Sequence, residues 1–394
     1  MLEYRAVEDL QEVLPVAQSA FMVRYPDRPA VSEWLSHACS HGSKLYGVYE
    51  QDALLALYIL HNYEMRFRSS VLPMGGIGLL CSRLDARGKG AVRFMLRHAL
   101  ETLRDNGQVI SVLDPFSVSF YRKYGWELFE RTRVMEFSPG LINVPEDADN
   151  GFTIEDQAMP DAAAKAFYNT YARAHHTLVQ RGEAEWIDRT ALRAWFPNAA
   201  ARGVVKFSQA NEVVGLLGYN LVCKPGEYEG TYEVNLMACT EEPVRRAMLR
   251  FVSRLSHQVK SVKVDLPVDQ DLWPYLSNRP AKNEIRDGFM VRIVTMEGLN
   301  GLRIAAPDTA LCIEVEDAQA PANAGVWQLR VAKGCLTVAP GESSELRCGI
   351  GVLSSVLSGF TTFQEMLAAG KAEALSTYTG ADLPKAPTFL ADYF

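Results

Sequence analysis

The stretch Leu79–Val92, LLCSRLDARGKGAV, concentrates the chemistry of this 394-residue chain. An apolar strand pattern runs into a basic, glycine-containing turn, and a helical pattern opens directly behind it. A helix N-terminus presents unpaired N–H groups and about half a positive charge. Gly88 and Gly90 let the backbone approach an anion closely, and Arg87 and Lys89 add full charges. Such a turn can cradle a pyrophosphate. The alternative is an ordinary strand-to-helix turn with solvated basic residues. The segment is neither a G-x-x-x-x-G-K-[ST] loop nor a G-x-G-x-x-G run after a strand. Gly75–Gly78 precedes the apolar strand and reads as a loop or bulge.

Two further places carry reactive groups. Tyr121 has a hydroxyl that, with an ordinary pKa near 10, is protonated at pH 7 and can act as an acid. Core packing beside Phe120 and Tyr124 is the other reading. The last residues, FLADYF, are too aromatic for a frayed end and point to docking against the body. A merely packed tail is the plainer account. His175–His176 occupy neighbouring positions of a helical pattern, which do not share a face, and read as ordinary polar residues. The cysteines at 39, 81, 223, 239, 312, 335 and 348 are scattered without a C-x-x-C pair, so no metal site and no disulfide framework is expected.

These groups need elements to hold them. Leu10–Phe21 reads as an amphipathic helix, Lys44–Glu50 and Ala53–His61 as strands, Gly75–Ser82 as an apolar strand and Gly90–Arg104 as a helix. Gln108–Leu113 is a buried strand ended by Asp114–Pro115, Phe116–Lys123 a short helix, and Trp126–Phe137 a returning strand. Ser138–Gly151 has the composition of a linker. Helices over Ala162–Gln180, Glu185–Trp195 and Glu241–Leu255, with strands at Gly203–Phe207, Val213–Val222, Tyr232–Cys239 and Ser261–Leu266, repeat the element order of the first part. From Asp287 the pattern changes to short strands at Met290–Thr295, Thr309–Val315, Val326–Ala332 and Cys335–Ala339, followed by two helices. The fold class expected is α/β and α+β, divided into residues 1–145, 146–286 and 287–394.

The motifs add a family likeness. Arg87–Gly88–Lys89–Gly90–Ala91 resembles the [RQ]-x-x-G-x-[GA] acetyl-CoA motif of the GNAT acetyltransferases, with Val92 departing at the last position. Tyr121–Arg122–Lys123–Tyr124–Gly125–Trp126 is similar to the F-Y-x-x-x-G-[WYF] segment of the same family. The whole length resembles the Eis-type branch: a catalytic GNAT domain, a second GNAT-like domain without the cofactor motif, and a sterol-carrier-like domain. The resemblance implies mixed central sheets and acetyl-CoA contacts at Leu80, Cys81, Ser82, at Gly88, Lys89, Gly90, Ala91, Val92 and Arg93 beside Arg87, and at Phe116 and Ser117. Mycobacterial-type members have a serine where Phe116 stands, which limits that contact to backbone or packing. It further implies Tyr121 as general acid, the Phe394 carboxylate as general base, a primary amine of a small cationic or peptide acceptor such as an aminoglycoside, and a homo-hexamer. A carboxylate with an ordinary pKa near 3.5 needs burial or acidic neighbours to accept a proton. Cys239–Thr240–Glu241–Glu242–Pro243, where a second cofactor loop would lie, is acidic and would repel a pyrophosphate. A non-catalytic lipid or small-ligand binding protein built on the third domain is the alternative from another class.

Composition narrows the partners. With 48% hydrophobic and 22% charged residues the chain can build sizeable cores. The net charge of −7 disfavours a generic grip on nucleic acid. No stretch approaches the roughly 20 apolar residues of a membrane span. The start, MLEYRAVEDLQEVL, lacks a basic, apolar leader, so a cytoplasmic protein is expected.

Overall fold

A computed structural model describes residues 1–21, 28–190, 199–223, 229–375 and 378–392. The first sheet holds seven strands in the order β1-β2-β3-β4-β5-β14-β6. They are β1 (Leu2–Ala6), β2 (Lys44–Glu50), β3 (Ala53–Phe67), β4 (Ser70–Ser82), β5 (Ile110–Leu113), β6 (Glu127–Leu128) and, from much later in the chain, β14 (Met290–Ile293). Helices α1 (Leu10–Phe21) and α2 (Arg28–Ser40) cover one face, packing with Leu57, Ile59 and Cys81. Helix α3 (Ala91–Asp105) covers the other with Leu60 and Ile77. Because both faces are covered, Leu54–Leu60 is buried without alternation. Short helix α4 (Val118–Arg122) follows β5. Gly75–Gly78 proves to be paired strand within β4 rather than a loop. A side chain at Gly75 would overlap Leu103 and Gln108.

The second sheet runs β13-β7-β12-β11-β10-β9-β8. Its strands are β7 (Arg131–Phe137), β8 (Thr153–Gln157), β9 (Ala199–Gln209), β10 (Glu212–Val222), β11 (Gly230–Cys239), β12 (Val259–Pro267) and β13 (Lys282–Asp287). Helices α5 (Ala162–Ala174), α6 (Glu183–Thr190) and α7 (Glu242–Ser253) belong to it. Helix α5 ends before His175–His176, whose backbone turns away ahead of Thr177 in the left-handed region, φ 69°. The end of the helix expected at Glu185–Trp195 lies outside the described residues.

The expected single strand Trp126–Phe137 is two strands in two sheets. Leu128 pairs with Met290 in the first sheet, and Arg131–Phe137 pairs with β12 and β13 in the second. The segment Met290–Thr295, expected to open the third part, instead supplies β14 between β5 and β6. The two crossing segments are tied where they pass: Phe129 N–H donates to Phe289 O at 3.2 Å and Gly288 N–H to Glu130 O at 3.1 Å. A Cβ on Gly288 would overlap the Glu130 carboxylate, so a larger residue at the crossing would have to displace that buried group.

The third sheet, β17-β16-β15-β18-β19, comprises β15 (Thr309–Glu316), β16 (Gly325–Ala332), β17 (Cys335–Pro340), β18 (Leu346–Gly349) and β19 (Ala372–Ala374). Helix α8 (Ile350–Ser358) is buried almost throughout, and α9 (Phe363–Ala368) follows behind a Thr362/Glu365 capping box. Helix α8 lies between the first and third sheets: Ser355 Oγ donates to Leu128 O at 2.7 Å, and Ile293 N–H donates to Ser354 Oγ at 2.9 Å. One apolar core runs from Met74 and Val112 through Val356 to Trp327, joining the two parts. Arg68, at φ 55°, caps the C-terminus of α8 by donating to Val356 O and Leu357 O, and it also donates to Pro384 O of the C-terminal segment.

Candidate acetyl-transfer site

Strands β4 and β5 are parallel only from Met74/Ile110 to Ile77/Leu113. Beyond this point β4 continues to Ser82 while β5 ends, so a notch opens between them. A bulge marks the same place. Leu57 pairs with Cys81 and Ile59 with Gly78, leaving Leu79 and Leu80 opposite Tyr58 alone. Leu79 sits at φ 49°, a conformation that a branched side chain enters only under constraint. Bulges re-aim backbone groups. Here the bulge turns the Leu79–Ser82 backbone along an edge without a ladder partner on the notch side.

Behind β4 the chain makes the basic turn Arg87–Gly90 and enters α3. Gly88 and Gly90 lie at φ 80° and 81°, and a Cβ at either would meet open space. Gly90 is the N-cap of α3 and offers no side chain to the first-turn N–H groups. Those donors, with exposed Arg87, Lys89 and Arg93, make an anion cradle whose backbone is already in the shape that glycine permits. Ala91 is buried and Val92 half-buried against the core, so the departure at Val92 is accommodated by packing. Such a cradle can hold a diphosphate. Leu80 lines the notch, whereas Cys81 points into the core under α1 and α2. Burial pushes the Cys81 thiol up to about 12, which excludes it as a thiolate nucleophile at neutral pH.

Tyr121, on α4, is 2% exposed, and Phe116 and Phe120 pack edge-on against its ring at 5.3 and 5.2 Å. Its hydroxyl makes no hydrogen bond among the described residues. Burial, then the charges of Asp114 and Cys81, push its pKa above the ordinary tyrosine value, so it stays protonated. Ser117 caps α4 from extended backbone, with its Oγ 3.1 Å from Ser119 Oγ. Phe116 is 71% exposed and reaches the cavity by its ring. Gly125 is explained by geometry: φ is 86°, and a Cβ would overlap the Arg292 guanidinium. Arg292 is fully buried, pairs with Asp317 at 2.6 Å, and donates to Tyr124 O at 2.5 Å.

The notch opens into a cavity of about 480 Å³ between the first two sheets. Ile77–Leu80, Asp114 and Tyr121 form one side. Strands β9–β12 and α6 form the other, with Asn220, Glu233, Asp265 and Asp188 among the polar groups. Burial raises the carboxyls of Asp114, Asp188 and Asp265 above the ordinary range. Several cations of the wall are engaged: Lys263 with Glu233 at 3.1 Å, and Arg181 and Arg189 with Asp392 at 2.9 and 3.3 Å. The sequence pattern gave Asp114 only as a strand terminator and did not mark Asp188 or Asp265. Asp114 and Asp265 share a signal, an acidic residue directly after the last parallel pair of a buried strand, that emerges once the notch is known, whereas Asp188 lies on α6.

The tail docks beside this cavity. Thr177 Oγ and the Phe389 main chain exchange hydrogen bonds at 2.7 and 2.8 Å, Leu390 enters the core, and Ala391 lines the cavity wall. Asp392 is 3% exposed. Tyr393 and Phe394, and with them the expected general base, lie outside the described residues. His176 is structural: its Nδ1 accepts from Arg68 N–H at 2.9 Å and its Nε2 lies 2.6 Å from Ser358 O. Burial lowers its pKa to about 4. No group of three or more metal-ligating side chains occurs among the described residues, and none of their helices is long and apolar enough to cross a membrane.

Residues 4–129 and 177–293 each match a model described as an acetyltransferase (GNAT) domain, and residues 298–387 match a sterol carrier protein domain. The chain belongs to the GNAT acetyltransferases, a family that uses acetyl-CoA, and is an N-acetyltransferase. More particularly, it carries two tandem GNAT domains and a sterol-carrier-like domain in the Eis-type arrangement. Eis1 from Mycobacterium abscessus shares the fold over 100% of both chains, at 17% identity and a TM-score of 0.79. A GCN5-related N-acetyltransferase from Anabaena variabilis superposes with a TM-score of 0.87 at 18% identity, again over 100% of both chains. An uncharacterized N-acetyltransferase of Streptomyces coelicolor is 23% identical, covering 82% of each chain.

Proposed function

We propose that this enzyme transfers the acetyl group of acetyl-CoA to a primary amine of a small cationic acceptor, an aminoglycoside being one such molecule. The observation that carries this reading is the meeting of the β4/β5 notch with a cavity walled by Asp114, Asp188 and Asp265. Acetyl-CoA supplies the acetyl group as a thioester. Arg87–Arg93 holds the diphosphate, and the Leu79–Ser82 backbone donates to the oxygen on which charge develops. The carboxylates hold the acceptor ammonium. With Phe394 as the last residue, its carboxylate takes the ammonium proton, and the docking of Ala391 and Asp392 at the cavity supports that role. Tyr121 then donates its proton to the leaving thiolate. No metal takes part in this reading. A cytoplasmic homo-oligomer, hexameric by resemblance, completes it.

The test is a panel of amines, including aminoglycosides, polyamines and peptide lysines, assayed for release of the CoA thiol. Acceptors with two or more ammonium groups should turn over fastest. Activity confined to neutral acceptors, or no release with any amine, defeats the reading. A C-terminal extension that leaves turnover unchanged across pH 6–9 removes Phe394 from the chemistry.

A further inference from the structure

The second GNAT domain has a notch of its own. Strands β11 and β12 are parallel from Gly230/Val259 to Val234/Val264 and then part. The cofactor cradle has not survived beside it. Helix α7 starts from Glu241 and Glu242 with Pro243 in its first turn, and Arg245 is paired with Glu242 at 3.8 Å, so an incoming phosphate meets carboxylates and no glycine turn. The opening nevertheless persists as a separate cavity of about 230 Å³. Its walls are mainly apolar, with Leu178, Leu236, Met237, Leu266, Pro267 and Phe389 among them. The His175 ring, stacked on Tyr171 with centroids 3.6 Å apart, adds a flat surface.

The lining has a definite charge. Asp265 and Asp269 contribute carboxylates, and neither a lysine nor an arginine among the described residues lines it. Asp265 Oδ1 is buried without a hydrogen-bond partner among the described residues. An unpaired buried acceptor is costly, so a positive charge held beside this carboxylate is favourable. A phosphate-bearing ligand is disfavoured by these two carboxylates. An uncharged apolar ligand would leave Asp265 unpaired. We propose that the β11/β12 notch is a second ligand site, which binds a compact amine with an apolar, preferably aromatic, body. The ammonium pairs with Asp265 and the body fills the Leu236–Met237 side.

Asp265 also lines the larger cavity, so the test must separate the two. Phenethylamine is titrated calorimetrically into the full-length protein without acetyl-CoA. Met237→Trp fills the second notch, and Asn220→Trp obstructs the larger cavity, which Met237 does not line. Wild type should bind one equivalent at this notch beside any taken up by the acceptor cavity, Asn220→Trp should keep that equivalent with similar affinity, and Met237→Trp should bind it about tenfold more weakly or worse. Phenethyl alcohol, which has the ring without the charge, should bind wild type at least about tenfold more weakly. Retained acetyl-CoA binding shows that Met237→Trp is folded. If it is not, Asp265→Asn in the Asn220→Trp background decides, and should lose the amine. Unchanged binding in the deciding variant, loss in Asn220→Trp, or no saturable binding to wild type overturns the proposal.

Discussion

Asp114 and Asp265 occupy equivalent positions in the two tandem domains. Each directly follows the last residue of the parallel pairing at its notch, Leu113 opposite Ile77 and Val264 opposite Val234. Both line the same cavity, and burial raises both carboxyls. The tandem arrangement therefore sets one carboxylate on each side of the cavity, using one backbone device twice.

Asp114→Asn and Asp265→Asn should each raise KM for a dicationic acceptor about tenfold, equivalent to about 1.4 kcal/mol, with a smaller effect on kcat. The pH dependence has a definite sign. Because these carboxyls are raised, they protonate at higher pH than ordinary aspartates, and the attraction fades as pH falls through their raised values. Steady-state pH series should show an acid-side fall in kcat/KM that is shallower in the Asn variants.

Tyr121→Phe keeps the ring that packs against Phe116 and Phe120 and removes only the hydroxyl. Turnover should drop by about 10²–10⁴-fold with acetyl-CoA affinity close to wild type. Near-full kcat on a good acceptor would make Tyr121 a packing residue.

Arg87→Glu should leave Tm unchanged, since Arg87 is exposed. It should weaken acetyl-CoA binding about tenfold, because an exposed attraction is lost and a repulsion of similar size added. Equilibrium titration of the cofactor, beside a thermal melt, separates binding from folding.

Asp317→Ala should lower stability by about 3–5 kcal/mol, because it leaves the fully buried Arg292 guanidinium without its ion-pair partner. The loss should appear in urea unfolding. An unfolding midpoint equal to wild type would show that water or another acceptor replaces the carboxylate.

Glu130, at the crossing of the sheets, has its carboxyl raised from 4.5 to about 7, chiefly by burial. A raised carboxyl contributes stability below its unfolded pKa and loses that contribution as pH rises through its folded value. Between pH 5 and 8, wild-type stability should therefore fall more steeply than that of Glu130→Gln. Parallel slopes in denaturant titrations would refute a titrating Glu130.

The first-domain half of the candidate site was readable because its signals are local. Glycines at positive φ, cations beside a helix start and a tyrosine before Gly125 all lie within short windows of sequence. The opposing wall was not, because Asp188 and Asp265 acquire their role only when the second sheet faces the first. Gly125 belonged to a recognisable motif, yet its physical reason, the Arg292 guanidinium, comes from 167 positions further on. The strand Trp126–Phe137 was misread for a related reason. Its apolar pattern continues across Phe129–Glu130, and periodicity does not report that the two halves pair with different sheets.

The exchange of β7 and β14 has a consequence for how the chain is made. Synthesis proceeds from the N-terminus, yet the place between β5 and β6 stays vacant until Met290–Ile293 has left the ribosome. The first domain, though nearly all its sequence precedes residue 130, therefore cannot close its sheet on its own. Until the second domain has been translated, β5 presents an unpaired, fully buried-type edge, Ile110–Leu113, of the kind that invites aggregation. For the nascent chain, the second domain is thus a segment that must be finished before the first can become an enzyme.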